Sequence, residues 1–220
     1  MLLRPDMGWL WLIPVSAEIM SVGAVVPQRV YGSESKATPE ESLAHFIATT
    51  RGSEPLFGAA RRISRARFDA DYSYLGTRMA GDRWVAVGDA AAFLDPIFST
   101  GVLLAMQAGL EVAEIIHKGL TDGDLTARRF EGYGRDVRMR YQHFRKFAVG
   151  FYDRAFRDLW LTPQSRFGIY EAVLSVLAGN WRPSLATRFR LRLFFTLVAI
   201  QRIIPIAPRA AGADVSRPAG

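Results

Sequence analysis

None of the 220 residues is cysteine, so no disulfide can form, and a reducing, cytoplasmic setting is expected. Histidine is scarce: His45, His117 and His143 are isolated, lack metal-ligand spacing, and read as solvated or core-edge side chains. Lysine is as rare. Lys36, Lys118 and Lys146 are the whole complement, so arginine carries the net charge of +7. No nucleophile elbow occurs, and neither Ser21 nor Ser99 has a histidine base at a recognisable position, which removes serine hydrolase chemistry. Asp69 and Asp71 suit a turn or strand edge better than acid-base work. Residues 1–14 lack a signal-peptide cleavage pattern, and the apolar run 191–200 is too short for a bilayer span. No Gly-x-Gly-x-x-Gly follows a strand, and Gly132-Tyr133-Gly134 lies in a charged helical stretch.

What is present is half apolar, enough for one substantial core. The basic balance suits an acidic partner. That balance could attract nucleic acid, anionic lipid or an acidic carrier protein; no nucleic-acid module is recognisable, so no nucleic acid is expected, the carrier is favoured, and no transmembrane segment is expected.

Residues 9–13 alternate as a strand, with Trp9, Trp11 and Ile13 on one face and Leu10 and Leu12 on the other. A turn at 15–18 and a second strand at 19–26 complete a hairpin, followed by a loop at 31–37. Thr38-Pro39-Glu40-Glu41 combines a cap, an N1 proline and a capping-box glutamate, which predicts a helix to about Thr50. Residues 72–75 read as a strand, 81–83 as a turn and 84–87 as an apolar strand. A helix over 99–118 is predicted to pack through Leu103, Leu104, Met106, Leu110, Ile115 and Ile116, with Gly109 allowing close contact and Gly119 as the stop. A second helix runs from after Asp124 to about Trp160 with a break at Gly150, and its Phe144, Phe147, Phe151, Phe156, Trp160 stripe reads as core. Thr162-Pro163 opens a third helix ending at Gly179-Asn180, and Ser184 opens the last, to about Arg202. The tail from Pro205 is expected to be disordered.

The most informative segment is 88–105, Gly-Asp-Ala-Ala-Ala-Phe-Leu-Asp-Pro-Ile-Phe-Ser-Thr-Gly-Val-Leu-Leu-Ala. A strand end offers one carboxylate, and a helix N-terminus beyond it is stripped of side chains. The carboxylate can accept bonds from a polyol, while bare amides and a helix dipole favour an anion. This segment resembles the second flavin-contacting motif of FAD-dependent monooxygenases and halogenases of the para-hydroxybenzoate-hydroxylase plan. The stretch Trp9-Leu10-Trp11-Leu12-Ile13-Pro14 resembles the Trp-x-Trp-x-Ile-Pro signature of flavin-dependent halogenases.

The resemblance implies an α+β / α/β chain: a partial FAD-binding domain of the glutathione-reductase/para-hydroxybenzoate-hydroxylase type, part of a substrate-domain sheet, and a helical C-terminal region. The expected divisions are 1–75 for the sheet domain, 76–122 for the flavin segment, 123–204 for the helical domain and 205–220 for the tail. By resemblance, Gly88 and Asp89 meet the ribityl chain of FAD, and Pro96, Thr100, Gly101 and Val102 lie beside the isoalloxazine. The amides of Thr100 and Gly101 match the halide site, Ser99 matches a serine near the substrate, and Trp9 and Trp11 wall the active site. The family reaction uses FAD reduced by a separate flavin reductase, oxygen and a halide to halogenate an electron-rich substrate. Phe98 stands where the tryptophan-specific branch has glutamate, which points to a small aromatic or carrier-protein-tethered substrate. The glycine-rich fingerprint and the guiding lysine of the family lie upstream of these motifs, so the chain resembles the C-terminal part of a longer enzyme. A flavin hydroxylase or reductase of the same plan and a non-catalytic fragment are the alternatives.

Overall fold

The computed structural model describes residues 1–162 and 167–209. The chain is mixed α+β and mostly helical, with seven short strands and eight α-helices among the described residues. The described residues divide into two compact units: residues 1–70, 152–161 and 207–209 form one, and residues 71–151, 162 and 167–206 the other.

The first unit is built on an antiparallel sheet of β1 (Leu2–Leu3), β2 (Trp9–Pro14) and β3 (Met20–Val25), in that order. The β2–β3 hairpin pairs Trp9 with Val25 and Pro14 with Met20, as the alternation predicts. Trp9 and Leu10 are both buried although they point to opposite faces, whereas the turn end of the hairpin is exposed. The predicted loop at 31–37 is a correction: Gln28–Glu34 form a helix, α1, entered directly from Pro27. Its anchor is Val30, buried, and Tyr31 stacks on Phe68 at 4.3 Å, contacts that the polar flanking sequence conceals.

Helix α2 (Pro39–Ala48) carries the predicted capping box, with Thr38 and Glu41 each bonding the other's backbone amide. Its C-terminal end is tied to the sheet by Arg4, which is buried and donates to Phe46 O at 2.8 Å, Thr49 Oγ1 at 2.9 Å and Thr50 Oγ1 at 3.1 Å. Asp6 neutralises that guanidinium at 2.6 Å. A short helix, α3 (Glu54–Phe57), follows.

In the second unit, β4 (Tyr74–Leu75) will pair with β7 (Ala92–Phe93), and β5 (Ala80–Gly81) pairs with β6 (Trp84–Val85). The apolar strand expected at 84–87 therefore ends at Val85. Its continuation turns inward: Ala86 and Val87 pack on the core and a 3-10 turn, Gly88–Ala90, takes over. That core holds Met79, Ala91, Ala108, Val112, Tyr133 and Val137.

Helix α4 (Gly101–Asp122) differs from expectation at both ends. Ser99 is left-handed (φ 52°) and stands outside the helix, which begins at Gly101. The stop is Gly123 at φ 70°, not Gly119. Gly119 is needed inside the helix because a Cβ there would stand 2.5 Å from Leu125 Cδ2 and 2.7 Å from Asp124 O. The packing face is corrected in part, since Ile115 and Ile116 pack against the core as expected. Ala108 and Val112 are buried, while Val102, Met106 and Leu110 are 74%, 65% and 72% exposed, and Gly109 faces open space. Ala108 and Val112 share a core with Tyr133 and Val137.

Helix α5 (Glu131–Phe151) and helix α6 (Arg154–Leu161) are separated at 152–153 rather than at Gly150. Asp153 makes the break by accepting Ala155 N at 2.8 Å, a capping geometry that a continuous helix does not allow. Phe144, Phe147 and Phe151 are core of the second unit and Phe156 of the first, so the aromatic stripe is core. Tyr152 and α6 belong to the first unit, where Tyr152 Oη accepts from Trp9 Nε1 at 3.0 Å. There Arg157, buried, donates to Met7 O at 2.7 Å and holds the left-handed turn (Met7 φ 74°) that leads into the tryptophan strand.

The C-terminal pair is α7 (Ile169–Leu177) and α8 (Leu185–Gln201), packed on each other. Ser184 caps α8 by accepting Thr187 N at 3.2 Å. The start expected at Thr162-Pro163 falls partly on 163–166, outside the described residues, and α7 begins after Gly168 (φ 66°). Of the tail, 210–220 lie outside the described residues, and Ile206 N donates to Gln201 Oε1 at 2.7 Å.

Candidate functional site

The loop from β6 to α4 is folded by its own polar groups. Gly88 takes φ 57°, which allows the chain to leave the strand direction and enter the 3-10 turn carrying Asp89. Tyr74 Oη donates to Asp89 O at 2.5 Å, which fixes the turn while leaving the carboxylate exposed. Asp95 then accepts Ile97 N at 3.0 Å and the Tyr72 hydroxyl at 3.2 Å, ordering the proline turn Pro96–Phe98. Ser99 reverses direction through its left-handed backbone, and α4 starts.

The mouth of α4 is bare. Thr100, its N-cap residue, is buried and makes no side-chain cap, and a Cβ at Gly101 would meet nothing within 4 Å. The first amides of this 22-residue helix have no side-chain cap, and they carry the positive end of the helix dipole. Such a terminus suits a negative group.

Gly88, Asp89, Thr100 and Gly101 line one small cleft, with Phe93 and Leu104 beside them. The structure therefore brings together the carboxylate and the helix mouth that the sequence separates by a dozen positions. It does not bring Pro96, Ser99 or Val102 into the cleft wall: Pro96 and Ser99 are exposed, and Val102 points out of α4. Trp9 and Trp11 belong to the first unit, where their rings sit 6.2 Å apart at 58°. Trp11 lies across Gly23 on the neighbouring strand, where a Cβ would collide with the indole.

The back of the cleft comes from α5, through Tyr133, Val137, Arg140 and Tyr141, none singled out from the sequence. A signal was there: Tyr133, Val137, Arg140, Phe144, Phe147 and Phe151 follow one helical stripe, and Arg140 is its lone charge. Tyr133 donates to Ala86 O at 2.8 Å, and burial pushes its hydroxyl pKa up to about 12. Arg140 is buried, pairs with Glu111 of α4, and stacks over Trp181 at 4.6 Å. Its Nε, together with Gln107 Oε1 and His143 Nε2, has no hydrogen-bond partner among the described residues. Burial, then Lys146 and Arg188, lower the His143 pKa and favour its neutral form.

The arrangement can seat a flat, hydroxyl-bearing ligand against a mostly apolar wall and hold an anion at the helix mouth. Among the described residues no group of three or more His, Asp or Glu could hold a metal, and no helix is long and apolar enough to cross a membrane.

Known proteins share this plan. The chain is 36% identical over 117 residues to a 1H-pyrrole-2-carbonyl-[peptidyl-carrier protein] brominase of Pseudoalteromonas luteoviolacea, covering 53% of this chain and 29% of that protein. It superposes on the flavin-dependent brominase Bmp2 with a TM-score of 0.69 at 26% identity, covering 89% of this chain and 49% of that one. A flavoprotein/dehydrogenase from Cytophaga hutchinsonii gives 0.72 at 26% identity, with 90% and 49% covered. The chain thus spans about half the length of these solved structures and under a third of the curated brominase. The tryptophan halogenase family model matches residues 4–170, and on that match, joined to the two motifs and the cleft they frame, the chain belongs to the family of flavin-dependent halogenases.

Proposed function

We propose that this chain supplies the second flavin motif and the substrate-side half of an FAD-dependent halogenase acting on an electron-rich, carrier-tethered substrate. The observation that carries the reading is the shared cleft of Asp89 and the bare α4 mouth. The residues fit the group: Gly101 leaves open space where a ring would lie, and the Asp89 carboxylate is exposed to accept ribityl hydroxyls. When bound, reduced FAD with oxygen supplies the two-electron oxidation of halide. Gly88 and Asp89 would orient the ribityl chain and the amides of Thr100 and Gly101 would hold the halide, while Pro96 and Val102, outside the cleft wall, are assigned to the ring by resemblance alone. By resemblance alone, Ser99 would lie toward the substrate, Trp9 and Trp11 would supply an apolar wall, and residues 76–122 would be the flavin segment.

No glycine-rich turn in the 220 residues can cradle a pyrophosphate, so the chain by itself is expected to bind FAD weakly or not at all. The exposed Val102, Met106 and Leu110 side of α4 is the face a glycine-rich half-domain would cover. A separate flavin reductase supplies the reduced cofactor. The pyrrole-carrier brominase and the apolar contact of Phe98 with Phe151, 5.8 Å between rings, support a carrier-bound aromatic in place of free tryptophan.

The test joins the chain to the glycine-rich N-terminal half of a related brominase and supplies flavin reductase, bromide and a pyrrole-loaded carrier. Brominated product in the mass spectrum, lost in Asp89→Ala together with FAD affinity, is the expected result. A protein that binds FAD equally well without Asp89 would overturn the assignment. The Cytophaga flavoprotein/dehydrogenase favours a second reading, a hydroxylase or dehydrogenase of the same fold, and a product that is only oxygenated or desaturated would select it.

A further inference from the structure

From residue 172 to residue 213 the sequence contains no aspartate or glutamate, yet it contains six arginines, at 182, 188, 190, 192, 202 and 209. Helix α8 lies inside this stretch. It buries Leu191, Phe194 and Val198 within the second unit, which turns a stripe at 185, 189, 192, 196 and 200 outward. Leu185 and Phe189 on that stripe are 82% and 68% exposed, and Ile203, just past the helix, is 84% exposed. Arg188 and Arg192 are exposed on the same side, and neither makes an ion pair with a described residue. The same helix connects to the candidate site through rings: Phe195 contacts Phe147 of α5 at 5.4 Å, and Phe151, one turn further along, contacts Phe98 beside Ser99.

We propose that the outward face of α8 is the docking surface for an acidic carrier protein that delivers the tethered substrate. This rests on the carrier-tethered reading given above. Aromatic and arginine side chains together, with acidic residues missing, are the composition of protein-binding surfaces. The positive charge of Arg188 and Arg192 selects an acidic partner and speeds encounter. A lipid surface is less well matched. Membrane-seated helices keep apolar and charged residues on separate faces, whereas here Arg192 and Thr196 lie within the apolar stripe.

The experiment uses the 220-residue chain, an apo peptidyl carrier protein with no substrate attached, and vesicles of phosphatidylglycerol or phosphatidylcholine as separate probes. Saturable carrier binding is expected. It should weaken about tenfold in the double variant Phe189→Ser, Arg192→Glu, and again on raising salt from about 0.05 to about 0.5 M. Arg65→Glu, an exposed charge of the other unit, should leave binding unchanged. Circular dichroism checks that each variant keeps its fold. Equal binding by the double variant, an equal loss in Arg65→Glu, or capture by phosphatidylglycerol vesicles without carrier binding would each overturn the proposal. Because the apo carrier needs neither flavin nor halide, carrier binding without halogenation leaves the docking surface standing. Halogenation of free pyrrole without carrier binding sinks the docking surface alone.

Discussion

Gly88 and Ala105 touch across the neck of the candidate site: a Cβ on Gly88 would stand 3.0 Å from the Cβ of Ala105. Gly88 also holds φ 57°, a conformation that L side chains avoid. Gly88→Ala should therefore destabilise the second unit by about 1–3 kcal/mol through strain and crowding combined. A urea titration followed by near-ultraviolet circular dichroism checks it. An unchanged midpoint would mean that the turn relaxes without cost.

The pairing of Trp11 with Gly23 makes a different test, because the indole occupies the space any Cβ would need. Gly23→Ala should displace Trp11, break its 3.3 Å contact with Ser21 Oγ and disturb the ring pair with Trp9. The expected cost is about 1–3 kcal/mol, with a change in tryptophan emission. Wild-type emission and stability in the variant would contradict the packing described.

Tyr133 predicts an alkaline transition. Its folded pKa, about 12, lies above the ordinary value of 10, because burial opposes the phenolate. The unfolded chain therefore loses its proton first. The contribution is complete below pH 10 and disappears as pH rises through about 12. The loss amounts to roughly 2–3 kcal/mol. Tyr133→Phe should remove this slope while costing about 1 kcal/mol at neutral pH for the lost bond to Ala86 O. Chemical denaturation at a series of pH values measures both. An identical slope in the variant would assign the transition elsewhere.

Arg157 holds Met7 O in the first unit, and burial lowers its pKa to about 10. Arg157→Ala leaves a carbonyl without its donor and opens a cavity beside the tryptophan strand, for an expected loss of about 2–4 kcal/mol. The stability should fall together with a red shift of Trp9 emission, since its indole is packed near this turn. Fluorescence-detected unfolding separates this from a silent surface change.

Much of this was readable from residue order because the signals were local. The Thr38 capping box, the Trp9–Pro14 hairpin strand and the Ser184 cap depend on neighbours a few positions away, and each formed where expected. The Gly-Asp and Thr-Gly landmarks were equally visible, since backbone freedom and bare amides are properties of residue type. What stayed hidden needed partners distant in sequence. Gly119 looked like a helix stop, but Leu125 packing made it an interior residue. Met106 and Leu110 looked like core, but Ala108 and Val112 share the core with Tyr133 and Val137 instead.

The order of residues by itself determined which segments could be strand, helix and bare helix mouth, because hydrophobic period, caps and glycines act over a turn or two. Only the tertiary structure decided that Asp89 and Gly101 face one cleft, that Arg140 closes its back, and that the arginine side of α8 is left outward. Those outcomes depend on which helix face meets which neighbour, and that choice is made by long-range packing.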